Sequence, residues 1–389
     1  MEHRPLIIVG SGPAGAAIAL ALHRRDPGLV RESLILEKGR HPRPKVCAGG
    51  LIPAGRRWMA EHDVPLSVPH VTVHRARVTT SRTTVEHEDR DLCYVIRRAE
   101  LDALLADAAR QRGATIRANE PVVALERDGS GVRITTARGT YHTPLVLGAD
   151  GAGSLVRRRL VDPDRHHIAR AVMVDVPLRD IRWDGFAAAR YDFDFRILRR
   201  GLKGYLWAFP CLIDDVPHVN VGAYALRPAG TALDAALAAF LAELGATPGR
   251  RVAFPIHWYA PGTQVASARA WLVGDAAGVD PLMGEGISLA MEYGAIAAAM
   301  VVQARRTGDF SGEQYQRAFE RSWLGAKLRN LYFSTHLFYG PTRRLWFTLA
   351  ERSCRLRAVG LRWYNGVDHW DRVSAWQALT AVLTNRVGV

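Results

Sequence analysis

One glycine pattern restricts this chain more than any other feature. The apolar run Leu6-Ile7-Ile8-Val9 leads straight into Gly10-Ser11-Gly12-Pro13-Ala14-Gly15. The run reads as a buried strand, Ala14 to Leu22 has the composition of a helix, and Ser33 to Leu36 is a second apolar run. A lone glycine motif of this kind also occurs in ordinary turns. Within a strand, turn, helix, strand unit each glycine has its own physical role. The first makes the tight turn, the second lets the backbone approach a pyrophosphate, and the third lets helix and strand pack closely. The helix N-terminus then faces the anion. Glu37 ends the second strand, where a carboxylate can accept hydrogen bonds from ribose hydroxyls, and Lys38 follows it. The pattern predicts a dinucleotide site on Gly10, Gly12, Pro13, Ala14, Gly15, Glu37 and Lys38.

The remaining elements follow from periodicity. Val71 to Arg90 alternates and reads as strands. Arg98 to Arg112 is helical, with Leu101, Leu104, Leu105 and Ala108 on one face, and it leads to strands at Val122–Glu126, Val132–Thr136 and Leu145–Gly148. From about residue 164 to Pro261 the pattern is antiparallel strand, with Tyr191, Phe193 and Phe195 at alternate places and one helix from Ala232 to Leu244. Trp271 to Val273 is again a strand, Gly286 to Val302 a helix of small residues, and residues 311–389 are mostly helical. With roughly 100 to 200 residues per domain, 389 residues suit two packed domains.

Charge and cysteine content narrow the setting. Arg and Lys exceed Asp and Glu by 52 to 38, and all but four of the 52 are arginine, which a GC-rich genome explains as well as an anionic partner does. Residues 321–389 carry eleven of these cations against three acids, with five of the ten tryptophans. That tail shows no recognised nucleic-acid fold, so nucleic acid is not expected as a partner. Its basic, aromatic character suits contact with an anionic membrane or a protein, or a helical cap on the preceding domain. The four cysteines form no C-x-x-C pair, so neither zinc nor a disulfide framework is indicated. A reducing cytoplasm is expected, with any membrane contact peripheral at its inner face, because no room for a signal peptide and no apolar stretch of about 18 residues are evident.

Two distant motifs resemble those of FAD enzymes of the p-hydroxybenzoate hydroxylase-like superfamily. Gly148-Ala149-Asp150-Gly151-Ala152-Gly153-Ser154 is similar to its second fingerprint, and Gly274-Asp275-Ala276-Ala277-Gly278 with Pro281, Gly284, Gly286 and Ile287 to its third. The resemblance implies that Asp150-Gly151 lies near the FAD pyrophosphate, that Asp275 binds the ribityl hydroxyls, and that the helix opening at Gly286-Ile287 faces the pyrimidine edge of the flavin. Backbone N–H groups there would stabilise the negative charge of reduced flavin. Arg98, in Arg98-Ala99-Glu100-Leu101-Asp102, matches an R-x-x-[FL]-D segment whose arginine reaches FAD; a solvated arginine at a helix start is the other reading.

Within that superfamily the chain looks most like the geranylgeranyl reductases. Lys45-Val46-Cys47-Ala48-Gly49-Gly50-Leu51 resembles their K-x-C-G-G-G segment, and Gly204-Tyr205-Leu206-Trp207-Ala208-Phe209-Pro210 their G-Y-x-W-x-F-P. Ala48 stands where the family usually has glycine. The resemblance covers about residues 1–305 and implies an α/β fold: a Rossmann-type FAD-binding domain (1–70, 91–163 and 263–308), an inserted antiparallel β-sheet substrate domain (71–90 and 164–262) and a C-terminal helical region (309–389). It places Cys47, Ala48 and Gly49 beside the flavin and Tyr205, Trp207 and Phe209 along the substrate. Cys47 is then either a proton donor or a small residue filling a turn, and the three aromatics are either a substrate wall or core.

Reduction of carbon–carbon double bonds in an isoprenoid or other hydrophobic substrate, small or lipid-linked, is the leading expectation, with NAD(P)H or another external donor reducing FAD. Hydroxylation of an aromatic, including a protein-borne one, by a flavin monooxygenase is the alternative. A flavin-bearing accessory protein that binds a large partner is the third. Halogenation is disfavoured, since no lysine falls in a segment typical of halogenases.

Overall fold

A computed structural model of the chain describes residues 1–163, 167–227, 231–247 and 249–367. The glycine loop lies at the end of a central strand of a six-stranded sheet. Its order is Ala266–Ser267, Ala270–Leu272, Val146–Gly148, Ile7–Val9, Leu34–Leu36, Thr115–Arg117, and every pair is parallel except the first. The four strands from Ala270–Leu272 to Leu34–Leu36 are buried throughout, as continuous apolar runs in a sheet covered on both faces must be. Helix Pro13–His23 packs against helix Ile287–Thr307, and small residues allow the approach: a Cβ added at Gly294 would lie 2.6 Å from Ala17 Cβ.

Helix Ile287–Thr307 corrects the expectation that no stretch could span a bilayer. By length and composition it could, with mean hydropathy 1.5 over its most apolar 18 residues, yet 61% of that window is buried inside the fold. Its apolarity serves the core.

The second large sheet has eight strands in the order Val252–His257, Ile168–Pro177, Val216–Ala225, Gly204–Ile213, Arg190–Asp194, His70–Thr79, Thr84–Ile96, Gly50–Leu51. Its pairs are antiparallel, save that Arg190–Asp194 runs parallel to His70–Thr79. Gly50–Leu51 carries the end of the Lys45 loop into this sheet, so one sheet edge ties that loop to the aromatic strands. Phe195, expected on a strand, instead starts a short helical turn, because Asp194 Oδ1 accepts the Arg196 N–H at 2.8 Å and turns the backbone. A four-stranded sheet of Glu2–His3, Gly139–Thr143, Val132–Thr136 and Val122–Arg127 completes the strand content of the described residues.

After Thr307 the described chain is helical over Glu313–Arg321, Trp323–Tyr339, Arg343–Arg352 and Cys354–Tyr364. The expected helical character of residues 368–389, with Trp370 and Trp376, lies outside the described residues.

Candidate functional site

The glycine loop is shaped by contacts that only glycine tolerates. Gly10 has φ +100°, and a Cβ there would lie 2.4 Å from Ala149 O; one at Gly15 would lie 1.9 Å from Gly10 O. A Cβ at Gly12 would meet nothing nearer than Arg43 Nη2 at 3.9 Å, so this glycine keeps the approach to the helix N-terminus open. Pro13 occupies the first turn, where its missing N–H costs nothing, and Ala14 packs on Gly274. Glu37 is buried and accepts hydrogen bonds from Ser11 N (2.8 Å), Ser11 Oγ (3.0 Å) and Gly39 N (3.0 Å). Burial alone would raise its pKa, but the backbone donors of Ser11 and Gly39 and the charge of Arg43 outweigh it and hold the carboxyl below its usual range. Lys38 is exposed.

The second and third motifs meet this loop across the parallel strands. Asp150 is half-buried; its Oδ2 accepts the N–H groups of Leu155 (2.6 Å) and Val156 (3.2 Å), while Oδ1 is buried with no hydrogen-bond partner among the described residues. Burial pushes its pKa up. Beside it Gly151, at φ +81°, has nothing within 4 Å of an added Cβ. An orphaned acceptor next to open space at the end of these strands fits a nucleotide that brings its own donors. Gly274 turns with φ +58°, and a Cβ at Gly286 would lie 3.2 Å from Asp275 Oδ1, so glycine lets this carboxylate sit over the start of helix Ile287–Thr307. Gly284 has φ +74°, and Pro281 O accepts the Tyr224 hydroxyl at 3.0 Å.

A cavity of about 160 Å³ gathers residues from segments far apart in the sequence. Cys47, Ala48 and Gly49 face it from the Lys45 loop, Arg98 from its helix, and Asp275, Gly284, Gly286 and Ile287 from the third motif. Tyr205, Trp207 and Phe209 line it from the eight-stranded sheet. Gly10 to Gly15, Glu37, Lys38, Asp150, Gly151 and Pro281 do not line it; the first two motifs cluster around the glycine loop and strand ends instead. Glycine is obligatory at position 49, where φ is +85° and a Cβ would lie 2.0 Å from Ile96 O. Cys47 Sγ accepts the Gly49 N–H at 3.3 Å.

Arg98 is paired rather than solvated. Its Nε and Nη2 donate to the two oxygens of Asp102 at 2.8 and 3.1 Å, and although burial works against its charge, Asp102 raises the pKa above its already high value. Lys45 Nζ lies 3.3 Å from the centroid of the Phe254 ring, and burial lowers its pKa to about 8, with Asp275 opposing the shift. Trp207 is held along one edge: its Nε1 donates to Asn220 Oδ1 at 2.7 Å, and a Cβ at Gly222 across the ladder would strike the indole at 2.1 Å. Asn220 Nδ2 in turn donates to Asp175 Oδ1 at 2.6 Å, and Asp175 pairs with Arg97 at 2.9 Å.

Sequence reasoning missed a set of groups that closes the cavity. Glu285 lines it while accepting from Ser288 N (2.8 Å) and Oγ (2.9 Å), and burial raises its pKa. Tyr364 and Asn365 reach the cavity from the end of the last described helix: Tyr364 Oη donates to Asp280 Oδ2 at 3.0 Å, and Asn365 Nδ2 to Leu92 O at 3.1 Å. Buried Lys327 donates to Tyr364 O at 2.8 Å. The acid inside Gly284-Glu285-Gly286 was visible as a signal; contacts of residue 365 with residue 92 were not.

Comparison with known proteins agrees with this geometry. Residues 4–188 match the family model of an FAD binding domain. The menaquinone reductase of Mycobacterium tuberculosis is 30% identical over 349 residues, covering 81% of this chain and 81% of that protein. The digeranylgeranylglycerophospholipid reductase of Methanocella arvoryzae is 26% identical over 351 residues, covering 84% and 85%. Among solved structures, a geranylgeranyl bacteriochlorophyll reductase-like protein of Thermoplasma acidophilum superposes with TM-score 0.73 at 22% identity, covering 87% of this chain and 88% of that one. The chain belongs to the geranylgeranyl reductase family of FAD-dependent oxidoreductases.

Proposed function

We propose that this enzyme reduces carbon–carbon double bonds in a long apolar chain of isoprenoid type, drawing electrons from NAD(P)H or another external donor. The observation that carries the reading is one continuous face of the eight-stranded sheet. Register aligns Phe254 with Ala171 and Tyr224, Tyr224 with Tyr205, Trp207 with Phe193, and Phe193 with Val78. The face therefore runs from the first cavity into a second, of about 320 Å³, under the C-terminal helices, and Tyr191, Phe193, Met283 and Tyr364 line both. A compact aromatic substrate would need only the first. A chain would use both.

Bound FAD would supply the hydride. The chain's own residues would do the rest: Gly10 to Gly15, Glu37, Asp150 and Gly151 would hold the adenosine and pyrophosphate part, Arg98 and Asp275 the ribityl part, and the N-terminus at Gly286-Ile287 the pyrimidine edge. Tyr205, Trp207 and Phe209 would fix the alkene in a dry cleft, which matters because an isolated double bond is poorly polarised. Cys47 would hold the proton at Sγ for the second alkene carbon. Anaerobic incubation of the pre-reduced protein with geranylgeranyl diphosphate or a menaquinone, followed by mass spectrometry, should show a gain of two hydrogens per bond reduced. Product bearing added oxygen, formed only in air, would instead favour hydroxylation.

The relatives' names fit substrates that reside in lipid, and the C-terminal helices leave Leu345 (58%) and Phe333 (44%) exposed beside a net positive charge. We propose peripheral contact of this region with an anionic membrane.

A further inference from the structure

The second cavity is lined mostly by apolar side chains, and Trp346 and Arg357, which also line it, do not line the first. Ala76, Val78 and Val85 wall it from the sheet, whereas Trp346 and Arg357 face it from helices Arg343–Arg352 and Cys354–Tyr364. Trp346 Nε1 and Arg357 Nε are both buried and have no hydrogen-bond partner among the described residues. The guanidinium is otherwise fixed, with Nη1 donating to the carbonyls of Ala350 (2.7 Å) and Glu351 (3.1 Å). The other ionisable groups lining the cavity are committed elsewhere. Glu86 pairs with Arg77 at 2.7 Å, Glu351 Oε1 accepts from Thr80 Oγ1 at 2.9 Å, and burial keeps the pKa of His87 low. Tyr364 donates to Asp280. Buried N–H donors without acceptors, one of them on a cation, are costly to maintain unless a ligand satisfies them.

We propose that Trp346 and Arg357 recognise the negatively charged, oxygen-bearing head of an amphiphilic substrate, whose apolar chain runs from there along the sheet face to the flavin cavity. This rests on the apolar-chain reading above and adds the polarity and direction of the substrate. In the first cavity the Trp207 N–H is taken by Asn220, the Arg98 charge is paired with Asp102, and Lys45 lies over Phe254. A charge-assisted bond to Arg357 with a second donor from Trp346 is what a phosphate or carboxylate oxygen requires.

The test is binding to the FAD-loaded protein, read from perturbation of the flavin absorbance, with geranylgeranyl diphosphate and geranylgeraniol as probes. The parent should bind the diphosphate at least about tenfold more tightly than the alcohol, as charge-assisted hydrogen bonds would give. Arg357→Gln should lose most of that preference by weakening the diphosphate alone, Trp346→Phe should lose part, and Arg357→Lys should keep part. Unchanged alcohol affinity and FAD content in the variants would show that the fold persists. A preference in Arg357→Gln and Trp346→Phe equal to that of the parent overturns the head-group assignment and leaves the chain reading standing. A parent that binds neither probe overturns both.

Discussion

Cys47 is the residue on which the proposed proton transfer turns, and its surroundings permit a clean comparison. The residue lines the cavity and its sulfur accepts a backbone N–H, so serine preserves both its size and this contact. Cys47→Ala should slow the product-forming half-reaction while flavin reduction by the external donor stays unchanged, and Cys47→Ser should lie between; stopped-flow traces of the two half-reactions report this. Equal product-forming rates in all three proteins would leave Cys47 a packing residue. Asp275→Ala should weaken FAD retention by about tenfold or more if the ribityl hydroxyls donate to this carboxylate, measured as FAD released on dilution. Lys45 gives a pH signature in the apoprotein. Its folded pKa, about 8, lies below the ordinary value of 10.5, so between those values the unfolded chain binds more protons and stability rises with pH. Below about 8 the penalty is fully present. Lys45→Met should abolish the rise in urea midpoint across that window. That Cys47, Asp275 and Arg98 gather at one cavity was readable because each stands in a motif; Tyr364 and Asn365 carry no motif and reach the site only through tertiary packing.

Secondary elements with strong periodicity were legible almost to their ends, since local pattern decides them. The helix expected over Arg98 to Arg112 is Arg98–Gln111, and that over Ala232 to Leu244 is Ala232–Glu243. Elements decided by pairing were not: Gly50–Leu51 is a strand only because Val95 and Tyr94 lie opposite, and Phe195 leaves its strand because Asp194 captures the next N–H. The contact of helix Pro13–His23 with helix Ile287–Thr307 sets the distance between the glycine loop and the third motif. A Cβ at Gly294 would lie 2.6 Å from Ala17 Cβ and 2.9 Å from backbone atoms of Ala17 and Ile18. Gly294→Ala should therefore destabilise the protein by about 1–3 kcal/mol through overpacking, seen as a lower urea midpoint; an unchanged midpoint would mean that the helices part freely.

At the scale of the whole molecule the enzyme joins a nucleotide-binding parallel sheet to an antiparallel sheet whose aromatic face the C-terminal helices cover. The fold class was legible because three glycine-rich motifs occur in order, and a helical cap was among the readings of the tail, but which face it closes was not legible, because amphipathic character alone does not say. With basic helices at its surface, the protein should bind anionic liposomes more than neutral ones and release with salt, and absence of binding at every salt concentration would remove that proposal. The proposed reaction itself is passage of hydride from reduced flavin to an alkene in the sheet-lined cleft. The most direct measurement is anaerobic stopped-flow mixing of the reduced protein with geranylgeranyl diphosphate or a menaquinone, with the flavin absorbance followed and the product quenched at each time. Reoxidation of flavin in step with appearance of the dihydro product is the expected result. Flavin that stays reduced with every such substrate, and reoxidises only when oxygen is admitted, would contradict it.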